Sequence, residues 1–424
     1  MCLLKSLRIV GGGNLGEEME LLYILLVVLA MARGLGEVAV WLGQPALVGE
    51  LIAGILIGVV STFFHEQLPL LNELSDNDTF LAIADLGVFF LMLLGGVELK
   101  TKNITESSKP AILVAIGGMI LPLSVGYLTG YLIFPESEFK VAQCLFTGTA
   151  LAITAVPVTI RVLMDINKLE SPVGSLIVSS AIIDDVLSLV LLAILTAFIS
   201  EGQIPDTNQL IFLVGNVVAF FLTTFLIGKI IFTRFRLVER LKSAEFEFSC
   251  LILIALLFSV LAEKLNLHFI LGAFMAGLLF GRKSAGSETY EILRNKLNAI
   301  TKGFLAPIFF VSIGLHLNLI AFTEIPFYVF SLVLIAVLTK LVGAGVPAKL
   351  LGFSLKDSVA IGIGMSGRGA VELIIADIAL RAGLFSKPTP VPNEIKFLFS
   401  AVVIVAITTT IFTPLGLKLI YHKE

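Results

Sequence analysis

Two adjacent carboxylates, Asp184 and Asp185, stand in the middle of an otherwise apolar run, SSAIIDDVLSLVLLAIL. An ionisable side chain at mid-bilayer depth costs about 2.5–3.5 kcal/mol even on the mildest scale, so such a pair points to function. Neighbouring residues are about 100° apart around a helix, so one acid can face a protein partner while the other faces water. Lys340, in LIAVLTKLVGAGVPAK, lies deep inside a second apolar block. A buried ammonium needs an opposite charge or must lose its proton, and the acid pair is the nearest opposite charge at that depth. The three groups form a coupled titrating set. Protonated acids bonded to backbone, or a lysine snorkelling to the interface, are the alternatives, and the depth of the residues argues against both.

Two further blocks carry helix-interrupting residues. Thr154-Ala155-Val156-Pro157-Val158-Thr159 sits at the centre of one, where Pro157 removes a backbone donor. Gly362, Gly364, Gly367 and Gly369 surround Ser366 and Arg368 in the other. Unwound carbonyls and half-helix ends at such places can replace part of an ion's hydration shell, and interrupted helices in corresponding positions mark a transporter's site. Arg161, Arg368 and Glu372 flank the interruptions and can lock them by ion pairs. Arg33, Glu50, Asp85, Glu98 and Asp377 lie nearer block ends, where packing roles are expected.

These residues need membrane helices to hold them. Of 424 residues, 57% are hydrophobic and only 14% charged. A soluble chain is about a quarter charged. The apolar residues come in long blocks, and about 20 residues of helix cross the hydrocarbon. Thirteen blocks can be drawn, at 21–42, 45–64, 80–99, 109–134, 141–165, 172–200, 208–233, 246–266, 267–282, 299–320, 326–352, 356–383 and 393–421. Lys and Arg crowd one alternating set of loops, including Lys100, Lys102, Arg234, Arg236, Arg240, Lys242, Arg282 and Lys283. Basic loops stay cytoplasmic, so the C-terminus is expected inside and, with thirteen spans, the N-terminus outside. The expected location is the cell (inner) membrane.

The blocks repeat. Leu42, Gly49, Ala53, Gly54, Leu56 and Gly58 fall at constant offset on Leu265, Gly272, Ala276, Gly277, Leu279 and Gly281. Phe89-Phe90 of VFFLMLLGGVEL similarly matches Phe309-Phe310 of IFFVSIGLHL. The matched spans are seven apart, and an odd offset makes the two halves cross the membrane in opposite directions, as in many secondary transporters. The expected fold is therefore all-α and polytopic, with two inverted-topology repeats and two crossing interrupted helices. The expected domains are a tail at 1–20, repeat one at 21–200, a linker helix and cytoplasmic loop at 201–245, and repeat two at 246–424.

Gly11, Gly13 and Gly16 satisfy G-x-G-x-x-G, but an apolar block follows at once and leaves no room for the βαβ unit a dinucleotide site requires. Met19 is an alternative start. Cys2, Cys144 and Cys250 have no metal or redox spacing.

The stretches QPALVGELIAGILIG, LGVFFLMLLGGVELK, ITAVPVTIRVL, SSAIIDDVLSL, LAPIFFVSIGLHL and GMSGRGAVELII, in this order, resemble the second family of monovalent cation:proton antiporters. That family includes bacterial sodium/proton antiporters and the membrane domains of glutathione-gated potassium/proton antiporters. The resemblance implies a core domain with crossing broken helices and a separate dimerisation domain, hence a homodimer in lipid. It implies Asp185 as the main ligand for cation and proton. It implies that Asp184 pairs with Lys340, and that Thr154 is a hydroxyl beside the crossing. The gated branch usually has Gln-Asp where this chain has Asp-Asp, and it carries a nucleotide-binding domain that this sequence does not extend to include. Sodium is therefore expected over potassium, with lithium as another candidate, electrogenic exchange, no cofactor beyond the transported ions, and no nucleotide or nucleic-acid partner. An organic-anion symporter would need anion-binding donors in a roomy cavity. An aspartyl protease needs acids facing each other from separate helices. A channel needs a filter ring, and nothing here resembles one.

Overall fold

A computed structural model of the chain describes residues 15–64, 71, 74–98, 109–154, 159, 163, 168–169, 171–201, 207–238, 244–265, 267–280 and 287–421. Among these residues there are helices and connecting turns but no strand. Among the described residues, eight helices are long and apolar enough to cross a membrane: Glu20–Trp41, Asp78–Glu98, Lys109–Ile133, Pro172–Thr196, Glu245–Lys264, Thr289–His316, Pro326–Leu350 and Leu398–Tyr421. Shorter apolar helices cover Ala46–Ser61, Gly215–Gly228 and Phe269–Leu279. The chain is an all-α, multi-pass membrane protein.

Local chemistry sets several helix starts. Proline stands at the first turn of Pro326–Leu350, where its missing N–H would have had no partner. Ser354 caps Leu355–Gly364 by accepting from the Asp357 amide at 3.0 Å.

Two helices end at or beside the stretches that the sequence marks as interrupted. Helix Lys140–Ala152 gives way to extended backbone at Ile153. Helix Leu355–Gly364 stops, and a new helix, Ala370–Arg381, begins after the Met365–Gly369 break. Pro157 and Arg161 lie outside the described residues.

The chain forms two compact units. One comprises Met1–Leu91 and Leu297–Leu317, the other Met92–Lys296 and Asn318–Glu424. Ile24, Val28, Ala53, Phe80, Ile308 and Val311 build the core of the first. Val114, Ile177, Ala344, Ile361 and Leu417 belong to the core of the second.

Within each unit glycines bring helices into backbone contact. In the first, a Cβ on Gly54 would lie 2.2 Å from the Val311 carbonyl oxygen. In the second, a Cβ on Gly277 would lie 2.2 Å from that of Leu93. Gly54 and Gly277 are partners in the sequence repeat, and each meets the helix carrying the repeat's other Phe-Phe pair. Helices Lys109–Ile133 and Pro326–Leu350, also in the second unit, meet reciprocally. A Cβ on Gly117 would come within 2.3 Å of the Gly343 oxygen, and one on Gly343 within 2.5 Å of the Gly117 oxygen. Small residues of this kind let membrane helices pack at backbone distance. The crossing lies about one turn from Lys340.

Candidate ion-binding site

The second unit contains every candidate residue that the structure describes. Its centre is the meeting of the two interrupted stretches, and each stretch satisfies the other's broken end. A helix leaves its last four carbonyls without intrahelical partners. Helix Lys140–Ala152 ends against Arg368, whose guanidinium donates to the carbonyls of Ala150, Leu151 and Ile153. A cation at a helix C-terminus also meets the negative end of the helix dipole. In return, Thr154 Oγ1 donates to the Met365 oxygen at 3.0 Å, and Thr159 Oγ1 donates to the Gly364 oxygen at 2.7 Å. Gly367 leaves just enough space, since a Cβ there would lie 3.3 Å from Thr159 Oγ1. Ser366 turns its hydroxyl back onto its own helix, donating to the Gly362 oxygen at 2.8 Å. Thr410 Oγ1 holds the Arg368 carbonyl at 2.7 Å.

The charges surround this crossing. Lys340 Nζ stands 3.5 Å from Asp184 Oδ2, with both side chains wholly buried. The same ammonium donates to Thr154 Oγ1 at 2.7 Å. Thr154 thus accepts from the lysine and donates to the broken twelfth stretch, joining the ion pair to the helix crossing. Arg368 Nη1 lies 3.7 Å from Glu372 Oε2, again with both side chains wholly buried. Asp185 differs from its neighbour: Asp184 has no exposure, whereas Asp185 is only partly buried. The two acids therefore differ: one is turned to a lysine, and the other keeps some exposure.

Among the described residues no group of three or more His, Cys, Asp and Glu could hold a metal ion. The oxygen donors around the pair are carboxylates, hydroxyls and the carbonyls of broken helices. Oxygen donors of these kinds are the ligands of hard cations. Arg33 and Glu50, expected to pack near span ends, come within 3.8 Å of each other in the first unit. Asp377 pairs with Arg381 at 2.9 Å.

Arg368 forms an ion pair and also caps another helix, and Thr159 joins Thr154 in bonding across the crossing. A guanidinium can fork to several carbonyls, whereas an ammonium presents one compact charge. Arg368→Lys is therefore expected to leave at least one buried carbonyl unsatisfied, at about 1–3 kcal/mol each, and to lower the melting temperature in detergent. An unchanged melting temperature would contradict this capping role.

Comparison with known proteins gives a consistent result. The family model described as "Sodium/hydrogen exchanger, transmembrane" matches residues 24–423. The Na(+)/H(+)-K(+) antiporter GerN of Bacillus cereus is 32% identical over 402 residues, covering 95% of this chain and 96% of that protein. A Na(+)/H(+) antiporter of Enterococcus hirae is 29% identical, covering 96% and 99%. The solved structure of the sodium proton antiporter MjNhaP1 from Methanocaldococcus jannaschii aligns with a TM-score of 0.70 over 96% of this chain and 98% of that one, at 16% identity. The likeness to MjNhaP1 is one of fold.

Proposed function

The chain belongs to the transmembrane sodium/hydrogen exchanger family, and from this premise we propose that it exchanges sodium for protons at a single site centred on Asp185. The observation that carries the reading is the buried Asp184–Lys340 pair, bonded through Thr154 to the helix crossing, beside a partly exposed Asp185. Asp185 takes either the cation or a proton. Cation entry weakens the hold of Asp184 on Lys340, and a proton returns to the pair on the opposite stroke. A site neutralised by its ion or its protons crosses the membrane field more readily than an empty charged one, since uncompensated charge is costly at that depth. That difference suppresses leak without exchange.

The basic loops favour a cytoplasmic C-terminus and an external N-terminus in the cell membrane. A homodimer in lipid is the assembly we expect. The printed name of GerN includes potassium, so selectivity is read by pulses of sodium, potassium and lithium.

Two titrating positions, Asp185 and the Asp184–Lys340 pair, favour two protons per sodium. Net charge then moves in each cycle, and ~100 mV acting on one charge is worth ~2.3 kcal/mol. In reconstituted vesicles clamped with potassium and valinomycin, once potassium is shown not to be a substrate, the sodium gradient that just prevents proton flux is expected to shift with imposed voltage. A balance point independent of voltage would make exchange electroneutral and rule out this stoichiometry.

A further inference from the structure

Helix Pro172–Glu201 carries Asp184 between two serines, each four residues away, Ser180 and Ser188. Residues four apart are neighbours on one helix face, about 5–6 Å between Cβ atoms. All three side chains are wholly buried. Among the described residues neither serine hydroxyl has a hydrogen-bond partner, and neither oxygen of Asp184 accepts a hydrogen bond of good geometry. The charge of Asp184 is met by Lys340 at 3.5 Å, and one N–H of that ammonium donates to Thr154.

Unbonded helical hydroxyls depart from the pattern elsewhere in this protein. Thr196, on the same helix, bonds back to the carbonyls of Leu192 and Ala193. Thr224, Thr339 and Ser366 likewise bond to the carbonyl four residues earlier. Ser180 and Ser188 decline the same local partner. One turn beyond them the face becomes apolar at Leu176 and Leu192, both buried. The polar file is thus three residues long and closed at both ends. Asp184 is the residue four away from both hydroxyls.

The proposed exchange opens the Asp184–Lys340 pair. An acid left buried without its partner is strongly unfavourable unless other groups solvate it. We infer that Ser180 and Ser188 are positioning residues that solvate Asp184 when Lys340 leaves it. They are idle in the paired state and donate to the carboxylate in the opened one. They thereby set how easily the pair opens and, through it, how tightly the cation binds. The inference rests on the reading that the pair opens during exchange.

The test has a thermal arm that requires no transport. The Ser180→Ala/Ser188→Ala protein is expected to melt at the wild-type temperature or above it, because it loses two unsatisfied buried hydroxyls. In a Lys340→Ala background, at alkaline pH, the same two substitutions are expected to lower the melting temperature clearly. A purely structural role predicts the same sign in both backgrounds, and that result would overturn the inference. In the transport arm, the double serine variant is expected to raise the apparent KM for sodium about tenfold, or ~1.4 kcal/mol. Ser188→Thr in place of Ser188→Ala, which keeps a hydroxyl, is expected to recover part of the loss. An unchanged KM in vesicles whose wild-type protein exchanges sodium for protons would overturn the inference and leave the proposed function standing. Absence of exchange by wild type would overturn both.

Discussion

Asp185→Asn is expected to abolish sodium-driven proton movement, reducing the flux to that of protein-free vesicles. The amide cannot take up a proton at any working pH, and it offers a cation one neutral oxygen in place of a charge. Asp185 is the partly exposed member of the pair, and the close ion pair with Lys340 belongs to Asp184. The fold is therefore expected to persist, with the melting temperature in detergent at or near the wild-type value. The two readouts together matter. Lost flux with retained stability assigns Asp185 to exchange itself. Retained flux would move the site elsewhere in the protein.

Lys340→Ala is the second large effect, and it has the opposite signature. Its ammonium is the charge that faces Asp184 at 3.5 Å, and neither side chain has any exposure. Removing one partner of a buried pair typically costs about 3–5 kcal/mol, less whatever the orphaned acid regains by protonation. The substitution also takes from Thr154 the donor at 2.7 Å that ties it to the pair, so the crossing loosens as well. A clear fall in melting temperature is expected. Asp184→Asn in the same chain removes the orphaned charge and is expected to recover part of that fall. The Thr154 contact stays lost, so recovery is incomplete. Equal melting temperatures for wild type and Lys340→Ala would mean that the pair contributes nothing to stability.

What could be read from the sequence followed from depth and spacing. Asp184, Asp185 and Lys340 are conspicuous because ionisable groups are costly inside apolar blocks, and their geometry follows from one helix and one partner. The break at Met365–Gly369 was legible in its glycines. Gly54 and Gly277, matched in the sequence, each stand at a close helix contact, which shows why glycine occupies both positions. Other features were not legible, for physical reasons. Arg368 caps a helix that ends more than 200 residues earlier in the chain, and nothing local to Arg368 states which carbonyls it will meet. Gly117 and Gly343 become a pair only when two helices cross. Ser180 and Ser188 read as ordinary membrane-helix serines, which satisfy themselves on their own backbone. Only the built helix reveals that they do not.

The central claim is that cation and proton compete for one site, and the wild-type protein in vesicles tests it most directly. A sodium pulse is imposed on a preformed pH gradient, and the apparent KM for sodium is measured across a series of pH values. A shared site predicts that sodium dissipates the gradient and that the apparent KM rises steadily as the pH falls, because protons occupy the carboxylate that the cation needs. A gradient untouched by sodium, or an apparent KM that stays constant across the whole pH series, would contradict it.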